Sequence, residues 1–89
     1  MALEIEHGAR SFRTIVDGHE AHIDFERTDG TLVITHTSVP AVIGGRGVAA
    51  ELTKAVFDAA RSEGLKVSPI CSYAAVWLQR HPGYADLLR

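Results

Sequence analysis

Polar and apolar residues alternate along the first half of the chain, which is the pattern of β-strands with one buried face. In AHIDFE, residues 21–26, the apolar side chains fall on one face and the polar ones on the other. The pairs Asp17-Gly18 and Asp29-Gly30 flank this segment and suit tight hairpin turns, because glycine accepts a positive φ there. Together with a weaker strand signal from Glu4 to His7, the pattern predicts an antiparallel meander.

The last strand of the meander is predicted in LVITHTSV, residues 32–39. Apolar residues occur in both alternating sets here, so we expect this strand to be more fully buried than the others. The same alternation places His36 on the side of Leu32 and Ile34, which favours a satisfied histidine within the sheet over a catalytic base. Pro40 follows and ends the strand, because proline has no N–H to donate to a ladder.

The hydrophobic period changes to three and four residues after Gly47, which predicts a long helix. Its apolar stripe consists of Val48, Leu52, Val56 and Ala59. Gly64 is placed to end this helix. LKVSPI, residues 65–70, then predicts a short buried strand, and SYAAVWLQRH, residues 72–81, a second helix that Pro82 stops. The order of elements indicates a mixed α+β fold, in which an antiparallel meander is followed by helix, strand and helix.

Composition and charge narrow the class of protein without identifying it. The chain has 89 residues, 46% of them hydrophobic and 22% charged, which predicts one globular domain over residues 1–89. Its net charge is −2 and its nine Lys and Arg are scattered, whereas nucleic acids and anionic membranes need clustered positive charge. The single cysteine, Cys71, has no partner for an internal disulfide, and MALEIEHGAR lacks the layout of a signal peptide. We therefore expect a cytoplasmic protein that binds neither nucleic acid nor membrane.

Three glycines lie immediately before the long helix, in GGRGVA, residues 44–49. A helix N-terminus presents unpaired N–H groups and a partial positive charge, so it can bind phosphate, and glycines let the backbone approach the anion. Arg46 would add a charged contact. The spacing fits neither a P-loop nor a Rossmann fingerprint. A turn that needs positive φ for purely structural reasons remains the alternative.

The order of strands, glycine turn, long helix, strand and helix resembles the Gcn5-related N-acetyltransferases. Their phosphate-binding turn has the pattern Gln/Arg-x-x-Gly-x-Gly/Ala, and Gly47-Val48-Ala49 fills its second half. The position of the Gln or Arg falls on Gly44. The resemblance therefore implies that backbone N–H groups hold the pyrophosphate of coenzyme A here.

A closer resemblance is to a subgroup of very short acetyltransferase-like domains. It extends from about Ala9 to Leu88 and rests on DGTLVITHTSVP, GGRGVAAELTKAVFDAARSEGLKVSPICSY and RHPGYADLL. It implies a compact fold of that family, acetyl-CoA or coenzyme A as the cofactor, and transfer of acetyl to an amine of a small molecule or a protein lysine. A monomer or a weak homodimer is expected.

The resemblance also implies where the cofactor lies. The pantetheine arm would follow the end of the last meander strand, and the diphosphate would lie over the glycine turn. The residues assigned to the cofactor are Thr37, Ser38, Val39, Gly44, Gly45, Arg46, Gly47, Val48 and Ala49. The thioester would reach the opening beside the strand that ends at Ile70 and Cys71.

Three side chains are candidates for the chemistry. Cys71 would lie near the acetyl group, as a proton donor or as a nucleophile, and is otherwise a small buried side chain at a strand end. Tyr73 is the alternative proton donor to the leaving thiolate, or else an aromatic packed over the helix. His81 precedes Pro82 at the end of the last helix, where the helix dipole favours it, and it is also a candidate base.

Neither a metal site nor a carboxylate base is predicted. His19 and His22 are three residues apart on a strand, so they point to opposite faces. The chain also offers little length for an acceptor pocket. Three functions remain open: an N-acetyltransferase acting by direct transfer, a coenzyme A or acyl-CoA binding module with little or no catalysis, and a structural interaction domain that has kept only the fold.

Overall fold

A computed structural model describes residues 3–89 and contains a five-stranded sheet in the order β1-β2-β3-β4-β5. The strands are β1 (Ile5–His7), β2 (Ser11–Val16), β3 (His19–Thr28), β4 (Thr31–Ser38) and β5 (Lys66–Pro69). Neighbours from β1 to β4 are antiparallel, and β5 pairs parallel to β4. The predicted meander and the mixed α+β class are confirmed.

Both predicted Asp-Gly pairs close hairpins. Asp17 and Gly18 have φ angles of 50° and 77°, and Asp29 and Gly30 have 46° and 73°. Two successive residues with positive φ are what the tight turn between twisted antiparallel strands requires, and Asp followed by Gly meets that requirement at low cost. Local sequence therefore determines where the meander turns.

Two α-helices follow the meander: α1 (Val48–Glu63) and α2 (Ser72–Gln79). α1 ends as predicted at Gly64, whose φ is 72° and whose N–H bonds to carbonyls of the last turn. α2 is shorter than predicted, and Pro82 begins a 3₁₀ segment, Pro82–Leu87; another 3₁₀ segment, Ala41–Ile43, is absent from the prediction. None of the helices within the described part of the chain has the length and apolar character needed to cross a bilayer.

The core lies between one face of the sheet and the two helices. Its largest fully buried side chains include Phe12, Phe25 and Ile23 from the sheet and Phe57 from α1. Phe57 stacks on Trp77 of α2 with ring centroids 5.0 Å apart, which places both helices on the same side. No helix covers the other face of the sheet among residues 3–89, and we call it the open face. Its exposed side chains include Arg13, Ile15 and Glu26.

β4 departs from the expected alternation because it contains a bulge. Phe25 pairs with Ile34, but Asp24 pairs with His36, so Thr35 has no partner on β3. One extra residue moves every later side chain to the opposite face. The prediction that His36 shares the side of the apolar residues is therefore wrong, since it lies on the open face. The expectation that this strand is more fully buried than the others is confirmed, since two of the eight residues of β4, Thr35 and His36, are exposed, against five of ten in β3 and two of six in β2.

Candidate functional site

β4 and β5 separate halfway along β4, and we call the space between them beyond that point the gap. The parallel ladder pairs residues 31–34 with β5 and ends there. The Ile34 carbonyl then accepts hydrogen bonds from the N–H groups of Ile70, at 3.1 Å, and Cys71, at 2.9 Å. Within the described residues, β4 continues to Ser38 with no strand on this side. Its edge beyond residue 34 therefore offers backbone groups to a ligand.

The glycine turn forms a bare N-terminus for α1. Gly45 and Gly47 have φ angles of 78° and 80°, a conformation that residues with a Cβ rarely adopt. Nothing lies within 4 Å of the position where a Cβ would stand at either glycine. Gly47 is the N-cap residue and makes no side-chain cap hydrogen bond. The N–H groups at this helix start are therefore accessible, in a region of partial positive charge.

A cavity of about 290 Å³ lies beside the glycine turn. Its lining joins the end of β4, the glycine turn and the first turn of α2. It includes Val39, Gly44, Gly45, Gly47, Val48, Ala49 and Tyr73. Most of the residues assigned to the cofactor are thus brought together with one of the catalytic candidates. A larger depression of about 780 Å³ lies at the far edge of the sheet, around β1 and β2, and its lining contains none of the predicted site residues.

Gly44 stands where the acetyltransferase pattern has Gln or Arg. Its φ of −65° and ψ of 154° are open to any residue. A Cβ at this position would, however, lie 3.2 Å from the carbonyl oxygen of Ala41, so a larger residue would require the preceding 3₁₀ segment to shift. The close approach of these two backbone segments explains why a glycine occupies position 44.

Arg46 is held away from the cavity that the rest of its turn lines. Its guanidinium forms an ion pair with Asp17 of the β2–β3 hairpin, and Arg46 is not among the residues that line the cavity. Both side chains are exposed, so this pair is weak and can exchange. A phosphate contact by Arg46 stays a prediction and would require the guanidinium to leave Asp17.

Cys71 lies at the N-cap of α2, where the gap begins. Its Sγ is 3.6 Å from the hydroxyl of Thr37, which the bulge in β4 has turned toward the helix side. Burial raises the pKa of the Cys71 thiol, but the backbone N–H of Ala74 and the Thr37 hydroxyl are among the donors that lower it, and the net direction is downward. The gap therefore holds a thiol that is more acidic than an ordinary cysteine.

We expect the rate of Cys71 alkylation by iodoacetamide to rise with pH around a midpoint below that of an ordinary cysteine, about 8.5. Removing a donor in Thr37→Val should move the midpoint upward, because the thiolate loses a hydrogen bond that the thiol does not need. Thr35→Val, which changes an exposed threonine of the same strand, is the matched control and should leave the midpoint in place. Equal midpoints in Thr37→Val and the unmodified protein would contradict this assignment.

Tyr73 lies two residues after Cys71, in the first turn of α2. It lines the cavity and is 39% exposed. Burial raises the pKa of its phenol, and Arg80 opposes this only in part. The phenol is therefore protonated at neutral pH, which is the state that a proton donor requires.

His81 lies at the other end of α2. Its ring stacks on Trp77 with centroids 4.0 Å apart, and its Nδ1 lies 2.7 Å from the Trp77 carbonyl oxygen, to which it donates. Ten positions separate it from Cys71, roughly 15 Å at the rise of an α-helix. The structure therefore places Cys71 and Tyr73 at the start of α2 and His81 beyond its other end, where its contacts close the helix.

Three polar side chains that the sequence analysis did not group lie close together on the open face of the sheet. Nδ1 of His22 is 3.0 Å from Oδ1 of Asp24, and the rings of His22 and His36 are 6.3 Å apart. Asp24 is the direct cross-strand partner of His36. Regular alternation puts His36 on the wrong face, and the sequence carries no signal for the bulge that corrects it.

Metal-binding geometry is not found among residues 3–89, where no three His, Cys, Asp or Glu side chains are grouped to hold an ion. His19 pairs with Val16, and His22 pairs with Arg13. An odd spacing along one strand directs these two imidazoles to opposite faces.

Comparison with known proteins gives two findings. The family model of GCN5-related N-acetyltransferases matches residues 11–87, a range that includes the glycine turn, the gap and Cys71. The chain is also similar to a GCN5-like candidate N-acetyltransferase from Staphylococcus aureus, whose solution NMR structure is known. The two sequences are 34% identical; the match covers 98% of this chain and 88% of the other, with a TM-score of 0.78.

Proposed function

Because the chain belongs to the GCN5-related N-acetyltransferase family, we propose that it transfers acetyl from acetyl-CoA to an amine by direct attack on the bound thioester. One observation carries the proposal. A single cavity extends from the bare start of α1 to Tyr73, and the gap beside β4 holds Cys71. This arrangement can bind a diphosphate at one end and hold a thioester at the other.

The residues of this chain fit acetyl-CoA, which supplies an acetyl group already activated as a thioester. The N–H groups at the glycine turn would hold the diphosphate, since no side chain caps the helix and the space beside Gly45 and Gly47 is empty of other atoms. The edge of β4 beyond residue 34 would bond the amides of the pantetheine arm, as the edge of a sheet bonds an added strand.

Two side chains at the gap can give a proton to the departing thiolate. Cys71 releases its proton more readily than an ordinary cysteine, because its pKa is lowered chiefly by the N–H of Ala74 against the opposing effect of burial. Tyr73 holds its proton until higher pH. A lowered pKa also suits Cys71 as a nucleophile that carries the acetyl group. We rank this route second, because direct attack needs one acyl transfer where the covalent route needs two.

The alternative function is a coenzyme A or acyl-CoA binding module without turnover. It is favoured by the open face beside β4, which no helix or strand within residues 3–89 covers. Both functions use the same cofactor residues. They differ in whether an amine acceptor reaches the thioester.

Calorimetric titration of the protein with acetyl-CoA and with coenzyme A tests the proposal. We expect dissociation constants in the micromolar range, about −8 kcal/mol, followed by thiol release when an amine is added. Cys71→Ala should bind within a few fold of the unmodified protein, because the diphosphate contributes most of the contacts. Binding without thiol release would favour the binding module. No binding at millimolar ligand would overturn both functions.

A further inference from the structure

The open face of the sheet leaves one side of the β4 edge uncovered within residues 3–89. α1 and α2 cover the opposite face, where the sheet residues are buried. The glycine turn and the cavity lie at the start of α1, so the diphosphate would occupy the helix side. An acceptor that approaches the edge of β4 therefore meets the side chains of the open face first. A side chain on that face is therefore placed to remove its proton.

His36 is the ionisable side chain of β4 on that face. It follows the bulge and precedes Thr37, whose hydroxyl contacts Cys71. Successive residues of a strand point to opposite faces, so His36 and Thr37 lie on the two sides of β4 at the same point along the gap. Asp24 stands directly opposite His36, and the ring of His22 lies 6.3 Å away.

We propose that His36 accepts the proton of the attacking amine and that Asp24 is the positioning residue that orients its imidazole. This rests on the proposed acetyltransferase function. The amine first releases its ammonium proton to solvent; its neutral nitrogen then forms a bond to the acetyl carbon and the carbon–sulfur bond breaks. One N–H proton passes to His36, and the coenzyme A sulfur takes a proton from Cys71. Solvent then returns the proton of His36 to Cys71, so the net products are the acetylated amine and free coenzyme A.

The charged side chains of β3 that flank His36 in register are carboxylates. Asp24 and Glu26 of β3 lie on the same face, and Asp24 also accepts a hydrogen bond from His22. On β2, Arg13 faces His22 across the strands, but its charge is paired with Glu6 of β1. On β5, the Lys66 amino group donates to the Asp86 carbonyl. An imidazole titrates near neutral pH, so it can take a proton there and release it to water.

His36→Gln tests the proposal, with acetyl-CoA as donor and spermidine and Nα-acetyl-lysine amide as acceptor probes. Both are cationic amines, which suits the carboxylates of the open face. We expect kcat/KM to fall about 100-fold, the lower end of what a general base contributes, and the acidic limb of the pH profile to disappear. Coenzyme A affinity should be unchanged. His19→Gln, an exposed histidine of β3, is the matched control and should behave as the unmodified protein.

Two further measurements separate catalysis from structure. Asp24→Asn should keep the acidic limb and lower kcat/KM by less than His36→Gln does, because the imidazole remains but loses the cross-strand carboxylate that orients it. In NMR spectra of the coenzyme A complex, spermidine should shift the ring resonances of His36 and leave those of His19 in place. This readout does not depend on turnover.

Different results would contradict the role of His36 and the proposed acetyltransferase function. Unchanged kcat/KM and an intact acidic limb in His36→Gln would overturn the role of His36 while the acetyltransferase function stands. A loss of coenzyme A affinity in His36→Gln would show that His36 has a structural role, and this would also overturn its role as the base. No turnover by the unmodified protein with either amine would overturn the proposed function, and this inference with it.

Discussion

Gly47→Asp is expected to weaken coenzyme A binding by at least about 100-fold, which corresponds to about 2.8 kcal/mol. The substitution places a carboxylate at the start of α1, where the diphosphate would receive its N–H donors. Two anions would then compete for one region of positive potential, and the added side chain would bond to the same N–H groups. Calorimetric titration with coenzyme A measures the loss.

The variant should remain folded, so the loss can be attributed to the site. Nothing lies within 4 Å of the position that its Cβ would take. The φ of 80° at residue 47 costs an L-residue roughly 1–2 kcal/mol, and aspartate already adopts positive φ at Asp17 and Asp29. Circular dichroism and urea unfolding would verify the fold.

Gly47→Asn is the matched control, because it has the shape of aspartate without the charge and also tolerates positive φ. We expect it to lose about tenfold in affinity through the bulk of its side chain. The difference between the two variants measures the repulsion between carboxylate and phosphate. Equal affinities in Gly47→Asp and the unmodified protein would refute a phosphate site at this turn.

Phe57→Ala is expected to lower the free energy of unfolding by about 3–5 kcal/mol. The ring is fully buried, stacks on Trp77 at 5.0 Å and meets the edge of Tyr84 at 5.9 Å. It therefore joins α1 to α2 and to the last 3₁₀ segment. A domain of this size has a total stability of about 4–13 kcal/mol at typical values per residue, so the loss is a large fraction of it.

Urea unfolding followed by Trp77 fluorescence measures this effect. Phe57→Leu keeps most of the volume and should lose much less, which allows comparison if Phe57→Ala does not fold. Ile15→Ala removes a side chain that is 61% exposed on the open face and should change stability by less than about 0.5 kcal/mol. A similar small change in Phe57→Ala would mean that α2 does not depend on this contact. Cys71 at the start of α2 would then lack its expected support.

Much of the fold and part of the site could be predicted from local sequence. The two Asp-Gly turns, the end of α1 at Gly64 and the glycine turn before α1 all depend on backbone conformations that few other residues adopt at low cost. Only some of the residues predicted for the candidate site lie at the cavity. Tyr73 does line the cavity with the glycine turn, but Arg46 pairs with Asp17 and His81 lies at the far end of α2.

The sequence by itself determined the meander, the turn and the order of elements, because each follows from residues that are close along the chain. Tertiary structure decided which side chains meet at the gap. The bulge at Thr35 turns His36 to the open face and Thr37 toward Cys71, and it arises where β4 must match β3. Strand register depends on partners distant in sequence, and a shift of one residue exchanges the two faces. Hydrophobic periodicity along a single strand does not contain that information.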